Sequence, residues 1–323
     1  MKILKDIPLE RYDDTEHCYN YLNYHKTIGD EETDYNGIFH IHWRGPIDND
    51  KIILQIKSIL ATQYVIKIYV WIENELVALT SPGYVKLNQF HKYVETKIFD
   101  KSVFDQAIGD IRNKQKIWMY YNGIYADRRY KTDIFRWIIL SIYGGVYTDA
   151  DTFLLRDVRD IRLKNWSSKW GRETYVEACI LKLEKTSNIY EQIYLFDSNN
   201  SHCFNMYDQM NLNKDKPQFF NFFIDRPVLH NFTSLPCSFF DIVWSEHDND
   251  LNFLTLNNFD NFFKTTEKNI NLDNFLKGCF AYHWHSRWDH SELKDSYAGK
   301  LNQDLDKIIE EKYNIIPYKI FNK

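Results

Sequence analysis

The sequence has few of the features that mark secreted, membrane-spanning or disulfide-rich proteins. Its five cysteines are odd in number and scattered, which favours buried thiols in a reducing compartment over a disulfide framework or a zinc site. The first residues contain no continuous apolar core like that of a signal peptide. The longest apolar run, from Ile134 to Tyr143, is interrupted by Arg136 and is too short to cross a bilayer. We therefore expect a cytoplasmic protein without a transmembrane segment.

The chain also lacks an excess of positive charge and has few of the glycines and prolines that form linkers. The 40 lysines and arginines are outnumbered by 45 aspartates and glutamates. Because no basic cluster stands out from this acidic balance, we expect no nucleic-acid partner. The chain has 11 glycines and 7 prolines in 323 residues, and no stretch rich in Pro, Gly or Ser divides it. With 44% hydrophobic residues it can bury a sizeable core, and we predict a single domain over residues 1–323.

The pattern that is present near the N-terminus predicts an α/β fold. Residues 37–45, GIFHIHWRG, alternate like a strand and end at a Gly-Pro break; a helix over residues 50–62 and a strand over 66–72 follow. Such a βαβ unit implies parallel strands with helices on both faces. Ligands of these sheets bind beyond the carboxyl ends of the strands, where Trp43 and Arg44 lie. A turn at 81–83 and helices over 101–112 and 293–311 are also predicted.

The stretch from Asp127 to Asp157 has the clearest local organisation. Thr132 or Asp133 can cap a helix whose apolar residues continue to Tyr143 nearly all the way round, which is typical of a buried helix. The pair Gly144-Gly145 supplies the left-handed backbone that ends such a helix. We therefore predict a buried helix that stops at the double glycine.

Two acids follow this helix closely. Residues 146–151 read as a short strand, so Asp149 and Asp151, two apart, are expected to point the same way. Two carboxylates at the end of a buried element need a cationic partner, and a divalent metal is the simplest candidate. The alternative is that the acids cap a strand or pair with Arg156 or Arg159. The same Asp-x-Asp spacing at 48–50, 248–250 and 304–306 lies in turn-like or exposed helical surroundings.

The run Asp133-x-x-Arg136 with Gly144-Gly145-Val146-Tyr147-x-Asp149-x-Asp151 resembles the central motif of the sugar-nucleotide glycosyltransferases of family thirty-two. That group includes fungal mannosyltransferases that start outer-chain glycans and the glucosyltransferase domains of large clostridial toxins. The resemblance implies a GT-A type fold, in which a Rossmann-like nucleotide-binding sheet has flanking helices and a helical acceptor-side insertion. The nucleotide-sugar-binding core would span about residues 37–160, and the acceptor-side and closing segments about residues 161–323.

An N-terminal pattern of the same group, Ile-x-His-x-x-Trp-x-Gly, is matched at His40, Trp43 and Gly45. The resemblance implies that His40 and Trp43 belong to the nucleotide-sugar site, with Trp43 stacked on the base. The alternative is that Trp43 only plugs the end of the sheet. Arg44 stands where the family usually has a hydrophobic residue, and it either helps to hold a diphosphate or points to solvent.

The closing segment, Gly278 to Trp288, also resembles that of the family. There a metal-binding side chain is followed three residues later by Ser and five later by Trp. Carried over, His283 and Ser286 become metal ligands, and Trp288 covers the nucleotide. His285 is the competing ligand, because it alternates with His283 in the strand sense. Aromatic packing with satisfied histidines is the structural alternative.

The resemblance also assigns roles to the central residues. Asp133 would bind sugar hydroxyls and Arg136 the donor sugar or its phosphate, although a plain intrahelical ion pair is the alternative. Asp151 and His283 would bind Mn²⁺ or Mg²⁺, and Asp149 would contact the ion through water or hold the ribose.

These assignments predict a hexosyltransferase of glycan biosynthesis. It would transfer the hexose from a nucleotide-sugar donor to a glycan or other hydroxyl acceptor, with a UDP-sugar favoured and GDP-mannose possible as the donor. The resemblance implies transfer with retention of configuration. Two other functions stay open. A metal-dependent phosphohydrolase would use the same acids, although the sequence shows no further cluster of His and Asp ligands. A non-catalytic sugar-nucleotide binder would keep the same fold.

Overall fold

The computed structural model of the chain describes residues 35–48, 50–108, 128–169, 176–185, 232–235, 239–241, 262–263, 279–285 and 294–317. Most of the predicted helical acceptor-side insertion lies outside these ranges, so its prediction stays open there; the described residues between 161 and 241 include three strands.

A seven-stranded mixed sheet forms the centre of the described structure, and a separate two-stranded sheet lies beside it. The strands are β1 (Ile38–Trp43), β2 (Lys67–Ile72), β3 (Val94–Ile98), β4 (Gly145–Thr148), β5 (Thr152–Leu154), β6 (Asn165–Lys169), β7 (Val176–Leu183), β8 (Phe232–Leu235) and β9 (Ala281–His283). The large sheet has the order β3-β2-β1-β4-β7-β6-β8. Strands β3, β2, β1 and β4 are mutually parallel, whereas β7 runs antiparallel to β4.

Six α-helices accompany the strands in the described part of the chain. They are α1 (Lys51–Thr62), α2 (Glu75–Leu79), α3 (Pro82–Asn88), α4 (Lys101–Ile108), α5 (Arg128–Tyr143) and α6 (Tyr297–Tyr313). Successive side chains of β1 point to opposite faces of the sheet, and each face is covered by a helix. Phe39 and Ile41 belong to the same buried cluster as residues of α1, whereas His42 on the opposite face stacks on Phe135 of α5 at 4.3 Å between ring centroids. The sheet therefore has a helix on each face, and the predicted α/β class is confirmed.

The predicted βαβ unit is confirmed to within two residues at each end. Strands β1 and β2 pair in parallel from Ile38 opposite Lys67 to Trp43 opposite Ile72. Helix α1 connects them, and its isoleucines and leucines are fully buried. This unit was predictable because its strand and helix periods are both local in the sequence.

Helix α5 begins earlier than predicted. Thr132 and Asp133 do not cap it, because the helix already starts at Arg128 and both residues lie inside it. The Thr132 hydroxyl lies 3.3 Å from His42 Nδ1 rather than at a free helix end. The predicted stop is confirmed, since the helix ends at Tyr143 and Gly144 and Gly145 have φ of 65° and 97°.

Helices α3 and α6 begin at residues other than those predicted. The predicted turn at Ser81-Pro82-Gly83 is the beginning of α3, with Ser81 at the N-cap and Pro82 in the first turn, where proline's missing N–H costs nothing. The C-terminal helix begins at Tyr297 rather than Leu293, because Ser296 caps it by accepting from the Gly299 N–H at 3.1 Å. Among the ranges that the structure describes, no helix combines the length and apolar character that a membrane span needs.

Candidate functional site

The two acids of the central motif lie in a turn that follows β4. The strand ends at Thr148, so the predicted strand over 146–151 is wrong in its second half. The Asp149 N–H donates to the Cys179 carbonyl at 2.7 Å, and the Thr152 N–H donates to the Asp149 carbonyl at 3.2 Å, which closes the turn. Asp149 and Asp151 therefore converge through a turn and not through strand alternation.

Buried polar residues of α1 hold this turn and the strand after it. The Gln55 side-chain amide donates to the Asp149 carbonyl at 2.5 Å. The Ser58 hydroxyl accepts from the Leu154 N–H at 3.0 Å. These contacts give the Asp149 carbonyl an additional partner and satisfy the buried Leu154 N–H, so they fix the backbone on both sides of the acids.

His283 reaches the acids from the far end of the chain. Strand β9 pairs antiparallel with β5, which places His283 opposite Thr152, and the Trp284 N–H donates to the Asp151 carbonyl at 2.9 Å. His283 Nε2 lies 3.2 Å from Asp151 Oδ1. One ligand atom from each of Asp149, Asp151 and His283 lies within 4.8 Å of the others. The predicted meeting of the acid pair and this histidine is therefore seen in the structure.

Arg136 of α5 lies beside Asp149, as expected for a shared site. Its side chain is buried, and Nη2 lies 3.4 Å from Asp149 Oδ1. The guanidinium also lies over the Tyr147 ring at 4.9 Å, and the Tyr147 hydroxyl donates to Asp149 Oδ1 at 2.7 Å. Burial raises the pKa of Asp149 to about 6, against the opposing effect of Arg136 and with a further rise from Asp151. The side chain keeps 22% exposure, so solvent moderates this shift.

His283 is held between two carboxylates. Burial disfavours its cation, but the neighbouring charge of Asp151 and its hydrogen bonds to Asp151 and Asp241 raise its pKa well above the usual value. Burial likewise penalises the Asp241 carboxylate, yet hydrogen bonds from His283 and His285 lower its pKa. The cluster is therefore a strongly charged, buried network.

The donor set of this network suits a divalent cation. Asp149, Asp151 and His283 supply carboxylate oxygens and an imidazole nitrogen, a combination that Mn²⁺ accepts well, and Mg²⁺ prefers the oxygens. A metal ion on the His283 nitrogen would take the place of its proton, and the three carboxylates, including Asp241, then exceed the single positive charge of Arg136. A divalent ion would offset that excess of negative charge, so these residues fit a divalent metal ion.

Asp241 is the part of the cluster that sequence reasoning missed, and it lies beside His285, which the sequence had indicated as the competing ligand. Asp241 Oδ2 lies 3.3 Å from His283 Nδ1 and 2.7 Å from His285 Nε2. These three residues form a second group whose ligand atoms lie within 4.8 Å of one another. Asp241 is 42 residues from His283 in a segment without recognisable motif spacing, so no local signal identified it. The expectation that no further His and Asp ligands cluster here was wrong.

Trp43 and Arg44 lie at the carboxyl end of β1. The Trp43 indole N–H donates to the Pro46 carbonyl at 3.0 Å, and its ring packs against the main apolar cluster. Arg44 Nε donates to Glu73 Oε2 at 2.8 Å, which ties it to the residue after β2. Its Nη1 finds no hydrogen-bond partner among the described residues. Arg44 is thus anchored through Nε, while its buried Nη1 is an unsatisfied donor among the described residues.

His40 has a different environment from the other predicted site residues. Its side chain is fully buried, Nδ1 accepts from the Trp71 indole N–H at 3.1 Å, and Nε2 lies 3.0 Å from the Gly144 carbonyl. Burial lowers its pKa to about 3, so the ring is neutral. Both nitrogens have partners within the protein, so we assign His40 to the packing of β1 against the double glycine rather than to ligand contact.

Three predicted residues are not tested by the described contacts. The Asp133 backbone belongs to α5, but its side chain lies outside what the structure describes. Ser286 and Trp288 lie outside the described residues altogether. Their assigned roles remain predictions.

Part of the chain that includes the acid pair matches a family model. Residues 86–175 match the family described as a glycosyltransferase sugar-binding region containing a DXD motif. The matched region includes Arg136, Asp149 and Asp151, and the match supports glycosyltransferase activity for the chain. A search of curated proteins finds no sequence match.

Several solved glycosyltransferase structures are similar to this chain. PaToxG glycosyltransferase has a TM-score of 0.44 at 15% identity. The match covers 66% of this chain and 76% of the PaToxG chain. The apo form of glycosyltransferase GlyE of Streptococcus pneumoniae TIGR4 has a TM-score of 0.42 at 11% identity. The match covers 87% of this chain and 64% of the GlyE chain. Mouse xyloside xylosyltransferase 1 has a TM-score of 0.42 at 11% identity, with 77% and 98% covered.

Proposed function

We propose that the chain is a metal-dependent glycosyltransferase that moves a hexose from a nucleotide-sugar donor to a hydroxyl of a glycan or another acceptor. The observation that carries the proposal is the convergence of Asp149, Asp151 and His283 at the carboxyl end of β4. Both acids belong to the region similar to DXD glycosyltransferases. A UDP-sugar is the favoured donor and GDP-mannose the alternative, as the resemblance to family thirty-two implies.

The metal ligands in this proposal are Asp151 and His283. Asp149 contacts the ion through water or holds the ribose, and Ser286 is a further ligand predicted from the resemblance. When bound, Mn²⁺ or Mg²⁺ would supply Lewis-acid stabilisation of the charge on the departing diphosphate.

Arg136 has the placement that a donor-binding cation needs. Its buried guanidinium is held by Asp149 and by the Tyr147 ring, so it is oriented before any ligand arrives. An arginine fixed in this way can donate to a phosphate or a sugar hydroxyl without losing much side-chain entropy. Together with Asp133, it would orient the donor sugar for attack.

Trp43 and Arg44 would form the neighbouring part of the donor site. The aromatic face of Trp43 suits stacking on a base. Glu73 holds Arg44 Nε, and the buried Nη1 has no partner among the described residues, which favours a diphosphate oxygen as its partner over the solvent-pointing alternative. Trp288 is predicted to cover the nucleotide from the closing segment.

The resemblance implies transfer with retention and without an enzymic nucleophile. In this reaction the bond from the anomeric carbon to the diphosphate breaks and a bond to the acceptor oxygen forms. The acceptor's proton passes to the departing nucleoside diphosphate. The residues described above would act by orienting the two reactants close together.

The test compares release of nucleoside diphosphate from a panel of sugar nucleotides with and without Mn²⁺. Asp151→Asn should abolish the Mn²⁺-dependent release, because it removes a charged oxygen donor from the cluster. Asp304→Asn is the matched control, since Asp304 begins another Asp-x-Asp triplet on α6 and pairs only loosely with Lys307 at 3.8 Å. Full activity in Asp151→Asn would refute the metal assignment.

A metal-dependent phosphohydrolase is the second candidate, and one observation favours it. Asp241 and His285 extend the cluster beyond the first three ligands, as sites with two metal ions require. This enzyme would release phosphate from simple esters and would show no preference for a sugar nucleotide. A non-catalytic binder would instead be stabilised by a sugar nucleotide with Mn²⁺ and release nothing.

A further inference from the structure

We propose that Asp241 is a positioning residue that orients His283 as the metal ligand and holds His285 away from that role. The inference rests on the proposed function, because it assumes that a cation binds at Asp149 and Asp151. It assigns a role to a residue that no motif indicated, and it decides between the two candidate histidines.

The contacts of the two histidine rings differ in a way that separates their roles. His283 spans two carboxylates, with Nδ1 3.3 Å from Asp241 Oδ2 and Nε2 3.2 Å from Asp151 Oδ1. Donation of the Nδ1 proton to Asp241 leaves Nε2 directed at the acid pair. Histidine ligands of metals commonly donate their other ring N–H to a carboxylate, which fixes the tautomer and the ring orientation.

His285 is directed to the other side of the cluster. It follows β9 with a left-handed φ of 47°, and its ring stacks on that of His283 at 3.9 Å between centroids. Its Nε2 lies 2.7 Å from Asp241 Oδ2, and it groups with Asp241 and His283 rather than with the acid pair. This backbone region is unfavourable for a non-glycine residue, so packing and the Asp241 contact must hold it there.

Asp241 is placed rigidly enough to orient another side chain. It is only 1% exposed, and the two residues before it are fully buried. The Phe280 N–H donates to the Phe239 carbonyl at 2.6 Å, which joins this segment to the residue just before β9. The Phe240 ring stacks on Trp166 at 5.3 Å with an interplanar angle of 4°. The orienting carboxylate and the strand that carries His283 are therefore held to one another.

The competing interpretation is a second cation bound by Asp241, His283 and His285. The two interpretations differ in the number of ions bound and in which imidazole coordinates Mn²⁺. Both quantities can be measured without turnover, so the test does not depend on knowing the acceptor.

The experiment titrates the full chain with Mn²⁺, with and without UDP, by isothermal calorimetry. Electron spin echo envelope modulation then detects imidazole nitrogen coordinated to the bound ion. We expect one Mn²⁺ per chain and a nitrogen coupling that persists in His285→Asn and disappears in His283→Asn. Asparagine is chosen at position 285 because it tolerates left-handed backbone. Asp241→Asn, checked for folding by circular dichroism, should raise the Kd for Mn²⁺ about 10- to 100-fold.

Each contrary result has a separate meaning. Two Mn²⁺ per chain, or a nitrogen coupling lost in His285→Asn but kept in His283→Asn, would overturn the inference while leaving a metal site in place. An unchanged Kd in folded Asp241→Asn would do the same. If Asp241→Asn does not fold, the comparison of the two histidine variants still decides which ring coordinates. Absence of Mn²⁺ binding by the wild-type chain in both conditions would overturn the proposed metal site and the inference together.

Discussion

Substitution of Gly145 by alanine should be among the most destabilising single-methyl additions in this protein, and Gly45 provides a matched control. Both glycines have left-handed backbones, with φ of 97° at Gly145 and 83° at Gly45. They differ in the space available. A Cβ at Gly145 would overlap the carbonyl oxygen of Ile38 and lie 3.1 Å from Asn36 Oδ1, whereas a Cβ at Gly45 would meet nothing within 4 Å.

The magnitudes follow from this difference. Left-handed backbone costs an L-residue roughly 1–2 kcal/mol. Loss of unfolded-state entropy on replacing glycine by alanine returns about 0.4–1 kcal/mol. Gly45→Ala should therefore lower the free energy of unfolding by about 1 kcal/mol. In Gly145→Ala, the overlap with Ile38 forces a backbone shift that costs about 1–3 kcal/mol more. The free energy of unfolding of this variant should therefore fall by about 2–4 kcal/mol in total.

Urea unfolding followed by circular dichroism measures both values, with the denaturant slope as a check that the transition is unchanged. The expected result is a lower midpoint for both variants, with the larger shift in Gly145→Ala. Equal shifts in the two variants would refute the argument, because they would mean that the close approach of β1 and β4 at Gly145 contributes nothing.

Two further predictions concern buried titratable groups away from the site. Lys57→Met removes a fully buried cation that lies 2.6 Å from Asp306 Oδ1. The free energy of unfolding should fall by about 3 kcal/mol, at the low end for a buried ion pair because the Asp306 side chain keeps 18% exposure. Urea unfolding should show that Lys57→Met with Asp306→Leu recovers most of this loss, and simple additivity of the two changes would contradict the pairing. His40 has a pKa lowered by burial to about 3, so its stabilisation is complete above about pH 6.5 and is lost as the pH falls toward 3, by at most about 1.4 kcal/mol per pH unit. In unfolding measured from pH 4.5 to 7.5, His40→Gln should depend less on pH than wild type, and parallel curves would contradict the assignment.

The sequence predicted those features whose signals are local. The βαβ unit and the stop at Gly144-Gly145 follow from periodicity and glycine placement, and both are confirmed. The convergence of Asp149 and Asp151 was also predicted, but for the wrong reason, because residue propensity does not show where β4 stops and a turn begins. That stop depends on the Asp149 N–H bonding to Cys179, a contact from β7.

Features that depend on distant segments were not predictable in the same way. The role of Asp241 depends on its packing against β9 through Phe239 and Phe280, and no spacing in the sequence encodes that contact. His40 illustrates the opposite error. The resemblance assigned it to the ligand site, yet the Gly144 carbonyl and the Trp71 indole N–H lie within hydrogen-bonding distance of its two ring nitrogens.

The sheet topology explains why the proposed site lies where it does. From β1 the chain first adds β2 and β3 on one side and then returns to add β4 on the other, so the strand order reverses between β1 and β4. Connections leave the sheet in opposite directions at such a point, and the crevice between the two carboxyl ends is open to ligands. Trp43 and Arg44 end or follow β1, and Asp149 follows β4, so they flank this crevice. Gly145 sets the distance between the same two strands, and Gly145→Ala should therefore weaken donor binding more than Gly45→Ala when both are compared at a temperature where each is folded.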